Sequence, residues 1–550
     1  MKLTLISFLL IFISPLSSKA IVQGRVYIDE NKNGVYDPGE TPRVGVAVSN
    51  GKDVVLSGAD GLFKLSKNKD TKFIFISIPS GYRTIGDFYQ KVTEDSKLYN
   101  FGLIKYSRTE KEAKFIQITD TETYEYGDWI NNLKDYSNSN KVGFMVHTGD
   151  ICYEKGLEFH AKSINTKTMG LPVFYCIGNH DLVKGDYGEQ LYESLFGPVY
   201  YSFNAGNTHF VVTPMKNGDF KPSYTKKQVY NWLVNELAQV DTSMNLVVFN
   251  HDLLTFDDVF IFSGGRGKEI NLNDHNLKAW VYGHWHINYK KQHGKNGPIS
   301  VCSSPPDKGG IDHSPSNFLV YNVAENGEIE IEPRYSYLTK HITINAPLEI
   351  VQQNNQSNEV LVSVNTYHTI SQTKAVKAQL INEIKEEVTV NLNQNTDWNW
   401  SVKVPIGKSQ FKGKWQLNVV ATYANGDTAK QQTSFAILPN KAPSDKFQLA
   451  WLATVKSNIW MAKPIESNGS VFVASIDDFG LETCGITAFD EATGEKLWHY
   501  KTKGSVKNTI CYANGMVLAT DQFGIAYAIN AETAKLEWKK ELGQSSLGSY

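Results

Sequence analysis

Five short clusters of side chains able to hold a metal recur between positions 120 and 286: Asp120-Thr121-Glu122, Gly149-Asp150, Gly178-Asn179-His180-Asp181, Asn250-His251-Asp252 and Gly283-His284-Trp285-His286. Carboxylate, carboxamide and imidazole together make the donor set that borderline divalent ions such as Mn, Fe or Zn accept, whereas Mg favours oxygen ligands alone. Taken singly each cluster is a weak signal. A lone Gly-Asp is usually a turn, and an isolated His is more often a hydrogen-bonded structural residue than a ligand. What carries weight is that all five occur in one segment, each in the same local context.

That context is a preceding apolar run, at 115–119, 142–147, 173–177, 246–249 and 279–282, with a further run at 210–213. Apolar strands alternating with helical segments predict a layered α/β domain. In such a sheet, the loops at the strand ends gather ligands, so short side chains placed there converge on one cavity. The glycines are expected to supply positive φ at the strand-to-loop turns, swinging the next side chain inward. His284 and His286 flank Trp285, which in an extended segment would point both imidazoles to one side.

In this order the motifs resemble the calcineurin-like metallophosphoesterase family, whose pattern is Asp-x-His, Gly-Asp, Gly-Asn-His-(Asp/Glu), a His, and Gly-His-x-His. The likeness runs from Lys114 to Pro306, and four of the five motifs match well; Glu122 stands where the family usually has His. The resemblance implies a β-sandwich core flanked by helices and two divalent ions. Asp120, Glu122, Asp150 and His286 would surround one, Asp150, Asn179, His251 and His284 the other, with Asp150 bridging. It implies hydrolysis of a phosphomonoester or phosphodiester by metal-bound hydroxide, chemistry that two ions roughly 3.5–4 Å apart support by polarising the phosphoryl oxygens. His180 is then the residue placed to protonate the leaving group or steady developing charge. Asp181 by the same resemblance orients His180, or else is a loop carboxylate. Glu122 adds charge and a harder oxygen, so the first site is expected either to be altered toward Mn or Fe or to have lost its ion. A chain with a decayed first site would be a surface or periplasmic binding protein on a phosphoesterase fold. The retention of His180, His251, His284 and His286 favours the enzyme.

The flanks read as all-β. From 21 to 108 short alternating strands predict a β-sandwich, and within it Asp29, Asn31, Asn33, the Val35 carbonyl, Asp37 and Glu40 have the spacing of a calcium loop, with Gly34 at the turn. The segment resembles calcium-binding repeats of bacterial surface adhesins, and an Asn/Asp/Gly-rich hairpin turn is the alternative. A second β-sandwich is expected over 342–440, ending in the linker 439–443. Trp398 and Trp400, two apart, either pack one strand face or form an aromatic platform for a ligand. Over 446–550 the run Ile486 to Trp498 returns forty residues later as Tyr527 to Trp538, with a weaker copy near Trp451. The repeat resembles propeller blades of pyrroloquinoline-quinone-type proteins, though about two blades cannot close a ring, and it suggests a binding or scaffolding module with a protein or glycan ligand.

At 550 residues the chain is too long for one core. A formal net charge of -2 and a pI near 6.7 give no global field for nucleic acid or an anionic membrane. Met1 and Lys2, the apolar run 3–16 and the small residues up to Ala20 form a cleaved signal peptide, too short to span a bilayer, so a secreted, periplasmic or cell-surface location is expected. Five widely spaced cysteines do not make a disulfide scaffold, and one bridge stays open. The expected fold class is multidomain α/β plus all-β: signal peptide 1–20, β-sandwich 21–108, phosphoesterase-like α/β domain 109–335, β-sandwich 342–440 and incomplete propeller-like repeats 446–550.

Overall fold

The computed structural model describes residues 21–93, 98–352, 358–439 and 449–543. The expected signal peptide lies outside the described residues, as does most of the 439–443 linker.

Two sheets face each other in the central domain. One is five-stranded, in the order Val173–Tyr175, Phe144–His147, Ala113–Ile118, Asn317–Val323, Ile329–Tyr335, and its first three strands are parallel. The other is six-stranded, in the order Tyr201–Ala205, Thr208–Val212, Asn245–Phe249, Leu277–Tyr282, Ile299–Cys302, Tyr289–Gln292, with four consecutive parallel strands in the middle. Strand periodicity shows in the partition of side chains. Phe115 stacks on Phe144 and Tyr321 between the sheets, while its neighbours Ile116 and Ile118 face outward onto Trp129, Ile130 and Leu133 of the helix Asp128–Ser139. Between the sheets, Phe144, Phe203, Phe210 and Phe249 pack with ring centroids 4.9–6.5 Å apart, the spacing at which aromatic pairs attract. The capped helix Lys226–Leu237 covers the outer side of the second sheet, burying Trp232 against Phe75 and Tyr200.

The N-terminal strands form two four-stranded sheets, and their apolar core is continuous with that of the central domain. Lys72 crosses the junction to the buried Glu189 and to Glu193, and Ser77 donates to the buried Glu236. The strands from His341–Ala346 to Thr428–Leu438 form a sandwich of four- and five-stranded sheets around a separate core. Trp400 is buried in that core, whereas Trp398 is not: it stacks on Tyr367. The two repeats are two four-stranded antiparallel blades, Ile465–Ser467 to Lys496–Lys501 and Cys511–Ala513 to Leu536–Glu541. Their tryptophans dock in register. Trp451 Nε1 donates to the Glu491 carbonyl, and Trp498 Nε1 donates to the Ala531 carbonyl at the same place in the next repeat. All five cysteines are free. Among the described residues no helix is long and apolar enough to cross a membrane.

Candidate metal centre

The loops leaving the parallel strands of both sheets meet at one edge, and the backbone there is unusual. Asp120, Glu122, Asp150, Cys152, His284 and His286 all have left-handed φ, between +44° and +70°. A non-glycine residue in that region costs about 1 kcal/mol or more, and such residues concentrate at functional sites. Positive φ was expected of the glycines. Of the three in these loops only Gly149 has it (+100°). Gly178 and Gly283 are required by proximity: a Cβ on Gly178 would lie 2.2 Å from Asp150 Oδ1, and one on Gly283 1.9 Å from Thr119 Oγ1. The Gly283–His286 stretch is also bent rather than extended, with Trp285 N–H bonded to the Gly283 carbonyl. The bend sends Trp285 into a ring cluster with Tyr282, Tyr289 and Phe256 and leaves the imidazoles to the site.

The clusters converge. Donor atoms of Asp150, His251 and His284 lie within 4.8 Å of one another, as do those of Glu122, Asp150 and Cys152. His286 Nε2 lies 3.5 Å from Asp120 Oδ1 and 3.7 Å from Glu122 Oε1. His251 donates through Nδ1 to the Thr148 carbonyl at 2.8 Å, which turns Nε2 inward, 3.0 Å from Asp150 Oδ2 but without a well-aligned hydrogen bond. The buried Oδ1 of Asn179 has no hydrogen-bond partner. An orphaned carboxamide oxygen and an inward imidazole nitrogen, set among carboxylates, are donors oriented for a cation. Electrostatics agree. Burial, reinforced by the Asp150 charge, pushes Asp120 up to about 8. Burial disfavours the His251 cation, yet Asp150 and Asp120 outweigh it and hold the imidazole up at about 10. The pocket has more negative charge than it can solvate, a deficit that divalent ions would relieve.

Asp181 is not the partner of the His180 ring. Its carboxylate is fully buried and accepts four backbone N–H bonds, from Gly178, Asp150, Ile151 and Cys152, at 2.8–3.0 Å. It therefore pins the strained Asp150 loop. His180 Nδ1 instead meets Asp219 Oδ2 at 2.8 Å, and its backbone N–H donates to Asp150 Oδ1. Burial lowers the His180 pKa, but Asp219 and the nearby carboxylates outweigh it and leave it above the ordinary value. Asp219 sits in the 216–221 loop, whose Lys216 and Lys221 are both exposed, as is Lys184. Gly218 brings that loop against Asn179, where a Cβ would lie 2.3 Å from the Asn179 carbonyl oxygen. Lys308 is a second residue the motifs do not reveal: its Nζ lies 2.9 Å from Glu122 Oε2 and donates to the Thr121 carbonyl. Behind the cluster, Thr121 Oγ1 joins the buried imidazoles of His147 and His160.

In the N-terminal loop, Asp29 accepts from Asn33 and Gly34 N–H, and Glu40 from Glu30 and Asp37 N–H. The amide nitrogens of Asn31 and Asn33 both donate to Asp37 Oδ2 at 2.7 Å. To offer oxygen to an ion both amides must turn over, since their Oδ1 atoms accept the Asn33 and Val35 N–H.

Two facing sheets with Asp, Asn and His side chains gathered on the loops at their strand ends have the layout of a metallophosphoesterase domain. Residues 113–288 match the calcineurin-like phosphoesterase family, 30–106 match the N-terminal domain of calcineurin-like phosphoesterase, and 451–549 match outer membrane protein assembly factor BamB. The central segment is thus a calcineurin-like phosphoesterase domain, a fold of hydrolases acting on phosphate esters, joined to its family's N-terminal domain and to BamB-like repeats. Tetrathionate hydrolase from Acidithiobacillus ferrooxidans is 27% identical over 127 residues, covering 19% of this chain and 26% of that protein, so the chain spans about a quarter of that relative. An archaeal phosphodiesterase overlaps 40% of this chain and 99% of its own at 11% identity and a TM-score of 0.21. BamB from Moraxella catarrhalis overlaps 41% and 58% at 11% identity and 0.14. Both overlaps are too loose to bear on function.

Proposed function

We propose that the protein is an exported dinuclear phosphoesterase hydrolysing a phosphomonoester or phosphodiester, with Asp120, Glu122, Asp150 and His286 holding one ion and Asp150, Asn179, His251 and His284 the other. The observation that carries this is the convergence of the Asp150, His251 and His284 donor atoms within 4.8 Å of one another, to which the buried, unpartnered Asn179 Oδ1 adds a further unused donor. Two bound ions would supply Lewis acidity to the phosphoryl oxygens and lower the pKa of a water. The chain's own residues do the rest. His180 gives its Nδ1 to Asp219, which leaves Nε2 for a substrate. Held protonated above its ordinary value, it can donate a proton to the departing oxygen. Lys308 pairs with Glu122, and together they carry the net charge of a neutral imidazole. That compensation explains how a carboxylate occupies the position the family gives to His.

Loading metal-stripped protein with Mn, Fe(II) or Zn and assaying bis(4-nitrophenyl) phosphate and 4-nitrophenyl phosphate tests the reading. Metal-dependent turnover is expected, abolished by Asp150→Asn and by His251→Asn. A folded protein inactive with all three ions belongs instead to the binding-protein class. A metal content below two ions per chain at full activity removes the dinuclear mechanism. The 1–20 pattern and the BamB-like repeats support an envelope location, which fractionation of cells making the full chain checks. The Asp29–Glu40 loop is read as a structural calcium site, with Asn31, Asn33 and Asp37 turning oxygen to the ion.

A further inference from the structure

A well-formed cavity lies away from the candidate metal centre. It has a volume of about 770 Å³ and lies where three modules meet: the edge strand Ile329–Tyr335 of the phosphoesterase domain, the C-terminal sandwich, and the first blade. That size is within the roughly 300–1,000 Å³ of ligand clefts.

Its walls combine two kinds of surface. One is aromatic. Trp398 stacks on Tyr367 at 4.6 Å and meets Tyr335 at 5.0 Å, yet stays half-buried on the cavity wall with one ring face covered by Tyr367. The other is rich in carboxamides and carboxylates: Gln372, Gln394, Asn395, Asn458, Asp397 and Asp478. Asp478 is the most enclosed member. Its side chain is 5% exposed, one oxygen lies 3.3 Å from Lys507 Nζ, Ser505 stands within reach as a donor, and Oδ1 is buried without a well-aligned hydrogen bond. A buried carboxylate oxygen short of aligned donors is costly, so a further donor from a ligand would be favourable there.

The cationic groups do not suit an anionic ligand. Arg334 spends its guanidinium on the carbonyls of His368, Thr369 and Ser371 and on Glu332, and Lys456 is exposed at the rim. A cationic ligand would need acceptors only, whereas Gln372 and Gln394 carry donors as well; the Asn395 and Asn458 amides already donate to Asn399, Ser401 and Tyr335. A ring with a C–H face for stacking and hydroxyls that both donate and accept matches both surfaces.

We propose that this three-module cavity is a carbohydrate site, binding a short oligosaccharide with one sugar ring on Trp398 and hydroxyls on Asp397, the carboxamides and the Oδ1 oxygen of Asp478. The site is separate from the phosphoester chemistry, and its test needs no turnover.

Calorimetric titration of the full chain with cellotriose, maltotriose and tri-N-acetylchitotriose reads it. Saturable binding of at least one trisaccharide is expected, weakened at least tenfold by Trp398→Ala and unchanged by Trp460→Ala, an exposed tryptophan outside the cavity. If Trp398→Ala does not fold, Asp397→Ala, a change at an exposed position, is expected to weaken the same binding. No saturable binding of any of the three overturns the proposal, as does binding indifferent to Asp397→Ala and to a folded Trp398→Ala. Spermidine binding with the same Trp398 dependence, in place of the sugars, overturns it in favour of a cationic ligand.

Discussion

Gly283→Ala puts a single methyl group into the metal centre without asking for a new backbone conformation, because Gly283 does not have positive φ. The added Cβ would lie 1.9 Å from Thr119 Oγ1 and 2.8 Å from Asp120 Oδ2. Ordinary contact begins near 3.4 Å, so the 283–286 loop and the Thr119–Asp120 turn must separate by about 1.5 Å. Overpacking of this kind costs about 1–3 kcal/mol, equivalent to a melting temperature lower by roughly 2–10 °C. Function suffers more. The displaced loop carries His284 and His286, and Asp120 accepts the His284 N–H at 3.0–3.1 Å. A shift near 1 Å in a reacting geometry costs on the order of 100-fold in rate. The assays are thermal unfolding, metal content, and turnover of bis(4-nitrophenyl) phosphate. Thr119→Ala removes the nearest clashing atom, so the double variant is expected to recover part of both losses. A Gly283→Ala protein with wild-type melting, metal content and turnover would refute the claim that close approach, rather than backbone freedom, requires glycine there.

Lys507→Met leaves the buried Asp478 and the half-buried Asp312 without their cation; a loss of about 3 kcal/mol is expected in denaturant unfolding, with partial recovery in Lys507→Arg. Burial holds His160 at about 4 and His209 at about 3, so both fold uncharged. Their contribution is therefore complete above pH 6.5 and is lost as pH falls from 6.5 toward those values, at about 1.4 kcal/mol per pH unit for each. His209→Gln should flatten that acid slope in pH-dependent unfolding, and an unchanged slope would remove His209 from the account. Calcium is expected to raise the melting temperature of metal-stripped protein, and Asp29→Asn with Glu40→Gln to abolish the rise without changing the count of ions bound at the phosphoesterase centre. Asp219→Asn removes the carboxylate that raises the His180 pKa, so the alkaline limb of the pH–rate profile should move to lower pH.

The strands and ligand clusters were readable because each signal is local. An apolar run such as that before Asp120, followed at once by a short polar ligand, has one sensible placement in a layered α/β fold. The partners of those ligands were hidden for the opposite reason. Asp219 reaches His180 from a separate loop 39 residues along the chain, and Lys308 reaches Glu122 across the domain; neither pairing leaves a trace in spacing. Asp181 looked like an orienting carboxylate because it follows His180, but side-chain direction in a tight loop is set by the backbone N–H groups that surround it. Backbone strain was assigned to the glycines on residue type, and the fold places it on the ligands themselves. Trp398 and Trp400 are two apart, but the strand begins at Asn399, so Trp398 sits in the bend before it and stacks on Tyr367 while Trp400 enters the core.

Lys507 comes from the segment between the two blades, yet its ammonium ends among Asp312, Ser314 and the Asn288 carbonyl of the phosphoesterase domain. Those groups adjoin the metal loop: the Ile311 N–H donates to the His286 carbonyl, and Gly310 packs against it. The chain's modules are thus not beads on a string. Local opening of the blades would withdraw the support behind His286, so hydrogen exchange at 284–287 should follow that of the blades and not that of the sheet below.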